Sequence, residues 1–122
     1  MTFSSQNNSL THADMPSNVS EMNSAALTRD KLQEQLMNKR INGLYRLPFT
    51  YEMQLNEDGT LWGRNNYGTE DVGKWTISDT GEMTVSWQSY WDAHTTRVYL
   101  ENGVLHLFDI DTGNWRTSMF EQ

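Results

Sequence analysis

Hydrophobic and polar residues alternate along most of the chain after its first third. In the run 82–87 the apolar residues Met83, Val85 and Trp87 alternate with polar ones, which is the period of a β-strand with one buried face. The run 72–77 precedes it, and a turn triplet ending in Gly81 lies between the two. Because glycine can adopt the positive φ of a three-residue hairpin loop, this stretch predicts a β-hairpin.

The same arrangement of short alternating runs and glycine-containing turns recurs from residue 43 onward. Consecutive hairpins joined by tight turns predict an antiparallel meander of about eight strands. We expect it to close into a barrel, which leaves no exposed edge; an open sandwich is the alternative, but no long Greek-key connection is visible. The predicted strands are 44–46, 49–55, 60–64, 72–77, 82–87, 96–100, 104–110 and 114–120. The predicted core consists of Phe49, Tyr51, Met53, Trp75, Ile77, Met83, Val85 and Trp87.

One helix is predicted before the strands. Ser24 or Thr28 can cap its N-terminus, and Asn42-Gly43 is predicted to stop it. The apolar stripe is about one helix face wide, so we expect the helix to cover one end of the barrel. This stripe consists of Leu27, Leu32, Leu36 and Met37.

The first 23 residues are polar and lack any hydrophobic period. They predict an N-terminal arm with little structure of its own, unless a partner subunit holds it. Residues 24–122 are long enough for one small domain with a modest core. The predicted organisation is therefore an arm (1–23) followed by a helix and β-barrel domain (24–122).

The barrel region carries a series of turn and strand motifs. They are Gly43-Leu44-Tyr45, Asp58-Gly59-Thr60 with Gly63-Arg64, Gly73-Lys74-Trp75-Thr76-Ile77, and Asp109-Ile110-Asp111, preceded by the helix at 32–37. In this order they resemble a bacterial lipocalin-like family of small calycin-type β-barrels of unknown function. The resemblance covers residues 43–120 and implies a closed, mainly antiparallel barrel. Because the motifs are turns and core positions, it implies a fold rather than a function.

The composition of the 122 residues narrows the possible partners. A net charge of −7 disfavours nucleic acid, because both it and the protein surface are negative. No apolar run approaches the roughly 20 residues of a membrane-spanning helix, so we expect no membrane insertion. The N-terminal stretch lacks the apolar segment of a signal peptide, which predicts a cytoplasmic protein, or an exported one if a leader has been removed.

Aromatic residues dominate the candidate ligand-binding positions. Tyr51 and Trp87 lie on predicted core faces of their strands. Tyr90, Trp91 and His94 lie on the longest aromatic connection between two strands. Loops at barrel mouths often carry function, so we expect a ligand to enter past these three residues.

Charged residues within the strands supply further candidates. Arg64, Arg97 and Arg116 each fall inside a predicted strand, where a solvated outer face is the simplest explanation. A single arginine inside the barrel would instead anchor a carboxylate or an enolate, and Glu52 could pair with one of the three. His106 would be a titratable group in an apolar wall if its face lined the cavity. We expect a ligand to meet Arg64, Arg97 or His106 inside the barrel.

Metal and nucleophile motifs are weak in this chain. Asp109, Asp111 and Gly113 have the spacing of the start of a calcium loop, but the required later glutamate is missing, which favours a hairpin turn. There is no cysteine, no paired histidine spacing for zinc and no nucleophile elbow. We therefore expect neither a metal nor a cofactor.

The favoured function is non-catalytic binding. The ligand would be a small apolar or aromatic molecule in the barrel, or a protein partner held by the arm and the mouth loop. The alternative is a cofactor-independent cyclase or isomerase that uses the barrel cavity. The interior distinguishes these hypotheses, because an enzyme needs a roomy cavity with convergent polar groups, whereas a partner-binding barrel can be filled by its own side chains.

Overall fold

The chain forms a closed antiparallel β-barrel. The computed structural model describes residues 14–45 and 49–122, and in this part of the chain eight strands pair in sequence order, with the last strand closing on the first. The predicted mainly β, eight-stranded barrel with one N-terminal helix is confirmed. Its elements are a 3₁₀ turn (Val19–Glu21), α1 (Arg29–Leu36), β1 (Arg40–Leu44), β2 (Thr50–Leu55), β3 (Thr60–Asn65), β4 (Glu70–Ile77), β5 (Glu82–Trp87), β6 (His94–Glu101), β7 (Val104–Asp109) and β8 (Trp115–Glu121).

The central hairpin has the predicted register and turn. Trp75 on β4 lies opposite Val85 on β5. Gly81 closes the turn with a φ of 85°, a conformation that side chains rarely adopt. The turn also lies against the chain that leads into α1, since a Cβ at Gly81 would be 2.5 Å from the carbonyl oxygen of Leu27. Glycine is therefore required here by both conformation and space.

The predicted core is largely observed. Five of its eight members are buried in one cluster, two are partly buried against that cluster, and Phe49 lies outside it. The buried five are Met53, Trp75, Ile77, Met83 and Val85, and the partly buried two are Tyr51 and Trp87. The alternation of the strands thus identified the inward face of β2, β4 and β5.

The helix α1 closes one end of the barrel. The Thr28 hydroxyl caps its first turn by accepting a hydrogen bond of 3.3 Å from the backbone N–H of Lys31. Leu32 and Leu36 are fully buried in the barrel core. None of the helices in the described ranges is long and apolar enough to cross a membrane.

The predicted helix stop at Asn42-Gly43 is wrong. The helix ends at Leu36, because Met37 has extended backbone and Asn38 adopts a positive φ of 59°. The backbone N–H of Asn38 then donates to the carbonyl of Leu55, which ties the helix end to β2. Asn42-Gly43 lies within β1, while residues 46–48, where the first predicted strand ends, fall outside the described part.

The described part of the N-terminal arm lies against its own barrel. The backbone N–H of Val19 donates to the carbonyl of Gly113 at 2.8 Å, which fixes the arm to the β7–β8 turn. At the opposite end of the barrel, the carboxylate of Glu101, the last residue of β6, accepts hydrogen bonds from the backbone N–H groups of Asn23 (2.6 Å) and Ser24 (2.8 Å). Residues 14–24 therefore follow the outside of the barrel, and the rest of the predicted arm, residues 1–13, falls outside the described ranges.

Candidate ligand-binding cavity

A cavity of about 310 Å³ lies in the half of the barrel away from α1. Its volume is near the lower end of the range of about 300–1,000 Å³ for small-molecule sites. The half next to α1 is filled by the barrel's own apolar side chains. The aromatic residues that line the cavity are Tyr45, Phe49, Tyr51, Trp87, Tyr90 and Trp91, and its polar lining includes Thr50, Asn65, Asp92, His94, Arg116 and Thr117.

Two tryptophan rings form one wall of the cavity over a glycine. The rings of Trp87 and Trp91 meet edge to face, with centroids 4.7 Å apart and an interplanar angle of 87°. A Cβ at Gly63 would be 2.7 Å from Cη2 of Trp87 and 3.2 Å from Cζ3 of Trp91. Glycine at this inward position of β3 therefore makes the room in which the two rings sit.

Tyr51 also packs over a glycine, and its ring reaches across the barrel interior. It pairs with Gly43 on β1, where a Cβ would lie 2.1 Å from Cζ of the Tyr51 ring. The Thr117 hydroxyl donates to the carbonyl of Leu44 at 2.7 Å, so the Tyr51 hydroxyl is the donor in its own hydrogen bond with Thr117. Burial raises the pKa of Tyr51 and outweighs the opposing effect of this hydrogen bond. Tyr51 is thus a neutral phenol in the cavity wall.

Asp71 holds the loop between β5 and β6 in place. It is buried on β4, and its carboxylate accepts hydrogen bonds from the backbone N–H groups of Ser89 (3.2 Å), Tyr90 (2.8 Å) and Trp91 (3.4 Å). Burial alone would raise the pKa of Asp71, but these donors and the N–H of Val72 outweigh it, and the pKa lies below its ordinary value. The ionised carboxylate therefore fixes the backbone that carries the Trp91 ring.

Arg116 borders the cavity, and its positive charge is paired with the carboxylate of Asp109. Its Nε donates to Oδ1 of Asp109 at 2.6 Å and its Nη2 to Oδ2 at 3.3 Å. The hydrogen bond to Asp109 is the main reason that the pKa of Arg116 is raised. The two side chains form a bidentate pair, which fixes the plane of the guanidinium.

His94 borders the same cavity as a neutral imidazole. Burial lowers its pKa, and the positive charge of Arg116 lowers it further. Its Nδ1 lies 3.3 Å from the carbonyl oxygen of Asp92, which can only accept a hydrogen bond. Nδ1 therefore carries the proton, and Nε2 is left as a hydrogen-bond acceptor near pH 7.

The structure brings five of the eight candidate residues together at this cavity. They are Tyr51, Trp87, Tyr90, Trp91 and His94. Tyr90 and Trp91 lie on the loop between β5 and β6, and His94 is the first residue of β6. Tyr90 is 70% exposed at the open end. Whether any of the five contacts a ligand stays a prediction.

Arg64 and Arg97 do not border the cavity, which favours the solvated outer face over the expected ligand contact inside the barrel. Both occupy outward positions of their strands, where they pair with carboxylates of neighbouring strands. Arg64 binds Glu52 on β2, the pairing considered from the sequence, and Arg97 binds Glu82 on β5 at 2.8 Å. The alternation of β3 contains this information, because Arg64 is offset by one residue from the inward Gly63.

His106 is also absent from the cavity lining. It lies on the outer face of β7, where it is buried, and its Nδ1 is 2.6 Å from the Ser118 hydroxyl. The indole N–H of Trp115 donates to the same hydroxyl at 2.9 Å. Because β7 is buried on both faces, its sequence does not show which face turns inward. His106 is a hydrogen-bonded histidine outside the barrel interior.

Sequence reasoning missed Asp71 and did not single out Arg116 as the cavity arginine. Asp71 shares the inward face of β4 with Trp75 and Ile77, so its position in the alternation was a usable signal. Arg116 lies within the irregular register between β7 and β8, because Phe108 pairs with Trp115 and Leu107 with Thr117, and this breaks the alternation. No strand pattern could therefore assign its direction.

The acidic turn of residues 109–113 connects β7 to β8. The backbone N–H of Gly113 donates to the carbonyl of Asp109, as expected of a hairpin turn. In residues 14–45 and 49–122 no three His, Cys, Asp or Glu side chains group as a metal site would require.

Comparison of the chain with protein-family models, curated proteins and solved structures finds no match. The closed barrel is consistent with the lipocalin-like resemblance at the level of fold alone.

Proposed function

We propose that this protein binds one small apolar or aromatic molecule in the open half of its barrel. The observation that carries the proposal is the cavity of about 310 Å³ with its aromatic wall. Inward glycines at positions 43 and 63 create the space that the rings of this wall occupy. Aromatic walls of this kind hold flat apolar molecules through buried area and ring geometry.

The polar groups of the cavity can hold a bound molecule in one orientation. Arg116 supplies N–H donors and neutral His94 supplies an acceptor, and both border the same space. Small-molecule sites commonly combine an apolar wall with a few such groups, which fix the orientation of the bound ligand. The arrangement therefore supports a binding protein with a defined ligand pose.

A screen of small aromatic molecules, detected by tryptophan fluorescence, tests the proposal. Ligands of the cavity should lose about tenfold or more in affinity in Trp91→Ala, because one wall of the site is removed. Trp62→Ala is the matched control, since Trp62 lies on the outer face of β3 beneath Arg40. Ligands that bind Trp91→Ala as tightly as the wild type would place the site elsewhere.

A cofactor-independent cyclase or isomerase is the second candidate function. The specific observation in its favour is His94, a neutral imidazole that borders the aromatic cavity and can accept a proton near neutral pH. Ligands from the screen would be incubated with the protein and analysed by chiral chromatography. Conversion that is lost in His94→Gln while binding persists would establish catalysis, and unchanged ligand would leave the binding function.

Membership of the lipocalin-like family is a further proposal, which rests on the turn and strand motifs together with the closed barrel. A cytoplasmic location stays a prediction.

A protein subunit is the alternative partner, because Tyr67 (62% exposed) and Tyr90 (70% exposed) flank the open end of the barrel. A larger mass on size-exclusion chromatography with light scattering, abolished by Tyr67→Ser with Tyr90→Ser, would support that partner.

A further inference from the structure

The cavity arginine is electrically compensated. Both Nε and Nη2 of Arg116 donate to the two carboxylate oxygens of Asp109. The Tyr45 hydroxyl, which also borders the cavity, accepts a further hydrogen bond from Arg116. A guanidinium carries five N–H groups, so donors remain for a ligand. Its charge, however, is balanced by a carboxylate in direct contact, so the pair acts as a dipole rather than as a free cation.

The other charges around the cavity do not favour an anion. Asp92 borders the open end and adds a negative charge there. Glu52 also borders the cavity, but its carboxylate is paired with Arg64 on the outside. A ligand carboxylate would therefore have to compete with Asp109 for Arg116 and approach a second acidic residue.

These charges do not oppose a ligand cation. Arg116 and Asp109 balance each other, and Asp92 adds a negative charge at the same end of the barrel, since the β5–β6 and β7–β8 connections lie at one end. Burial is the main cause that lowers the pKa of His94; Arg116 lowers it further, whereas Asp109 and Asp92 raise it. The discrimination set by the pair is therefore against anions.

We propose that the cavity selects neutral aromatic molecules that carry an amide-type group over carboxylates of the same shape. The proposal rests on the function proposed above and names its ligand class. The amide carbonyl would accept from Arg116 and the amide N–H would donate to Nε2 of His94. The Arg116–Asp109 pair is the feature that sets this preference.

Two probes of matched shape test the inference: 2-naphthamide and 2-naphthoate. Binding to the full chain would be measured by isothermal titration calorimetry at pH 7 and fixed salt. The amide should bind about tenfold or more tightly than the carboxylate, because naphthoate has to compete with Asp109 for Arg116 and meets the negative charge of Asp92.

The variant Asp109→Asn tests the cause of the preference. It removes the counter-charge of Arg116 but keeps a hydrogen-bond acceptor, so naphthoate affinity should rise about tenfold or more while that of naphthamide changes little. Glu82→Gln is the matched control, because it removes the same counter-charge from Arg97 outside the cavity. The double variant Asp109→Asn with Arg116→Gln should lose the gain for naphthoate, which excludes a general effect of net charge. Melting temperatures would verify that each variant is folded.

Each outcome bears on the inference. Tightest binding of naphthoate to the wild type would overturn the inference and leave the proposed function intact. A naphthoate affinity unchanged in folded Asp109→Asn, or raised equally in Glu82→Gln, would overturn the role of the Arg116–Asp109 pair. If Asp109→Asn does not fold, the ranking of the two probes on the wild type decides the preference. Binding of no probe to any of the proteins would overturn the inference, and an empty fluorescence screen would then overturn the proposed function as well.

Discussion

The carboxylate of Asp71 accepts a hydrogen bond of 2.8 Å from the backbone N–H of Tyr90. This bond joins a buried position of β4 to the loop that borders the cavity. The same carboxylate also accepts a hydrogen bond from the N–H of Trp91, so Asp71 fixes the position of the backbone that carries this cavity-wall residue. The ligand site thus depends on a residue that is not part of the cavity lining.

Replacement of Asp71 by alanine should destabilise the protein and loosen the loop. The loss of several charge-assisted hydrogen bonds predicts a decrease of about 2–3 kcal/mol in the free energy of unfolding in urea. Amide hydrogen exchange should accelerate at Tyr90 and Trp91. Asp58→Ala is the control, since Asp58 accepts from Thr60 in a different turn. Equal exchange at Tyr90 in wild type and Asp71→Ala would contradict the assignment.

The contribution of Asp71 should depend on pH. Its pKa in the folded state lies below the ordinary value of 3.8, so its stabilising effect is complete above that value and is lost as the pH falls through the folded pKa. The difference in unfolding free energy between wild type and Asp71→Asn should be constant from pH 7 to about 5 and shrink below about 4. A difference that persists unchanged to about pH 2 would show that ionisation of Asp71 is not involved.

Gly43 and Tyr51 should be energetically coupled. Gly43→Ala places a Cβ where the Tyr51 ring lies, which should cost about 1–3 kcal/mol as the ring is displaced. In a Tyr51→Ala background the same substitution should cost less, because the obstacle has been removed. Urea unfolding of the two single variants and the double variant measures this coupling. Strictly additive costs would contradict the close contact.

Trp75 should be a major source of stability. It is buried in the core and its indole N–H donates to the carbonyl of Asn56 at 2.8 Å. Trp75→Ala should cost about 3–5 kcal/mol, the range for truncation of a buried large aromatic residue. Trp62→Ala, on the outer face of the barrel, should cost much less. Similar denaturant midpoints for the two variants would refute the assignment of Trp75 to the core.

The fold followed from the sequence because two signals agreed along most strands. Alternation defined the inward residues, as for Met83 and Val85, and glycine marked the turns, as for Gly81. The signals disagreed at Asn42-Gly43, where glycine serves the packing of the Tyr51 ring rather than a helix stop. One amino-acid sequence alone does not show whether a glycine ends a helix, forms a turn or makes room for a neighbouring ring.

The cavity was only partly predictable. The aromatic loop was found because its length and composition differ from those of the other turns, and the direction of Arg64 could have been read from strand alternation. His106 could not be assigned, because both faces of β7 are apolar enough to be buried. The Arg116–Asp109 pair depends on the irregular register between β7 and β8, which no local pattern encodes.

Native mass spectrometry of the protein purified from its own host tests the central claim most directly. We expect the wild-type chain to retain one small molecule, because the cavity is bounded by aromatic rings and has a volume of about 310 Å³. Trp91→Ala should lose this molecule, and Trp62→Ala should keep it. A wild-type mass equal to that of the chain alone, or an adduct kept equally by Trp91→Ala, would contradict the account.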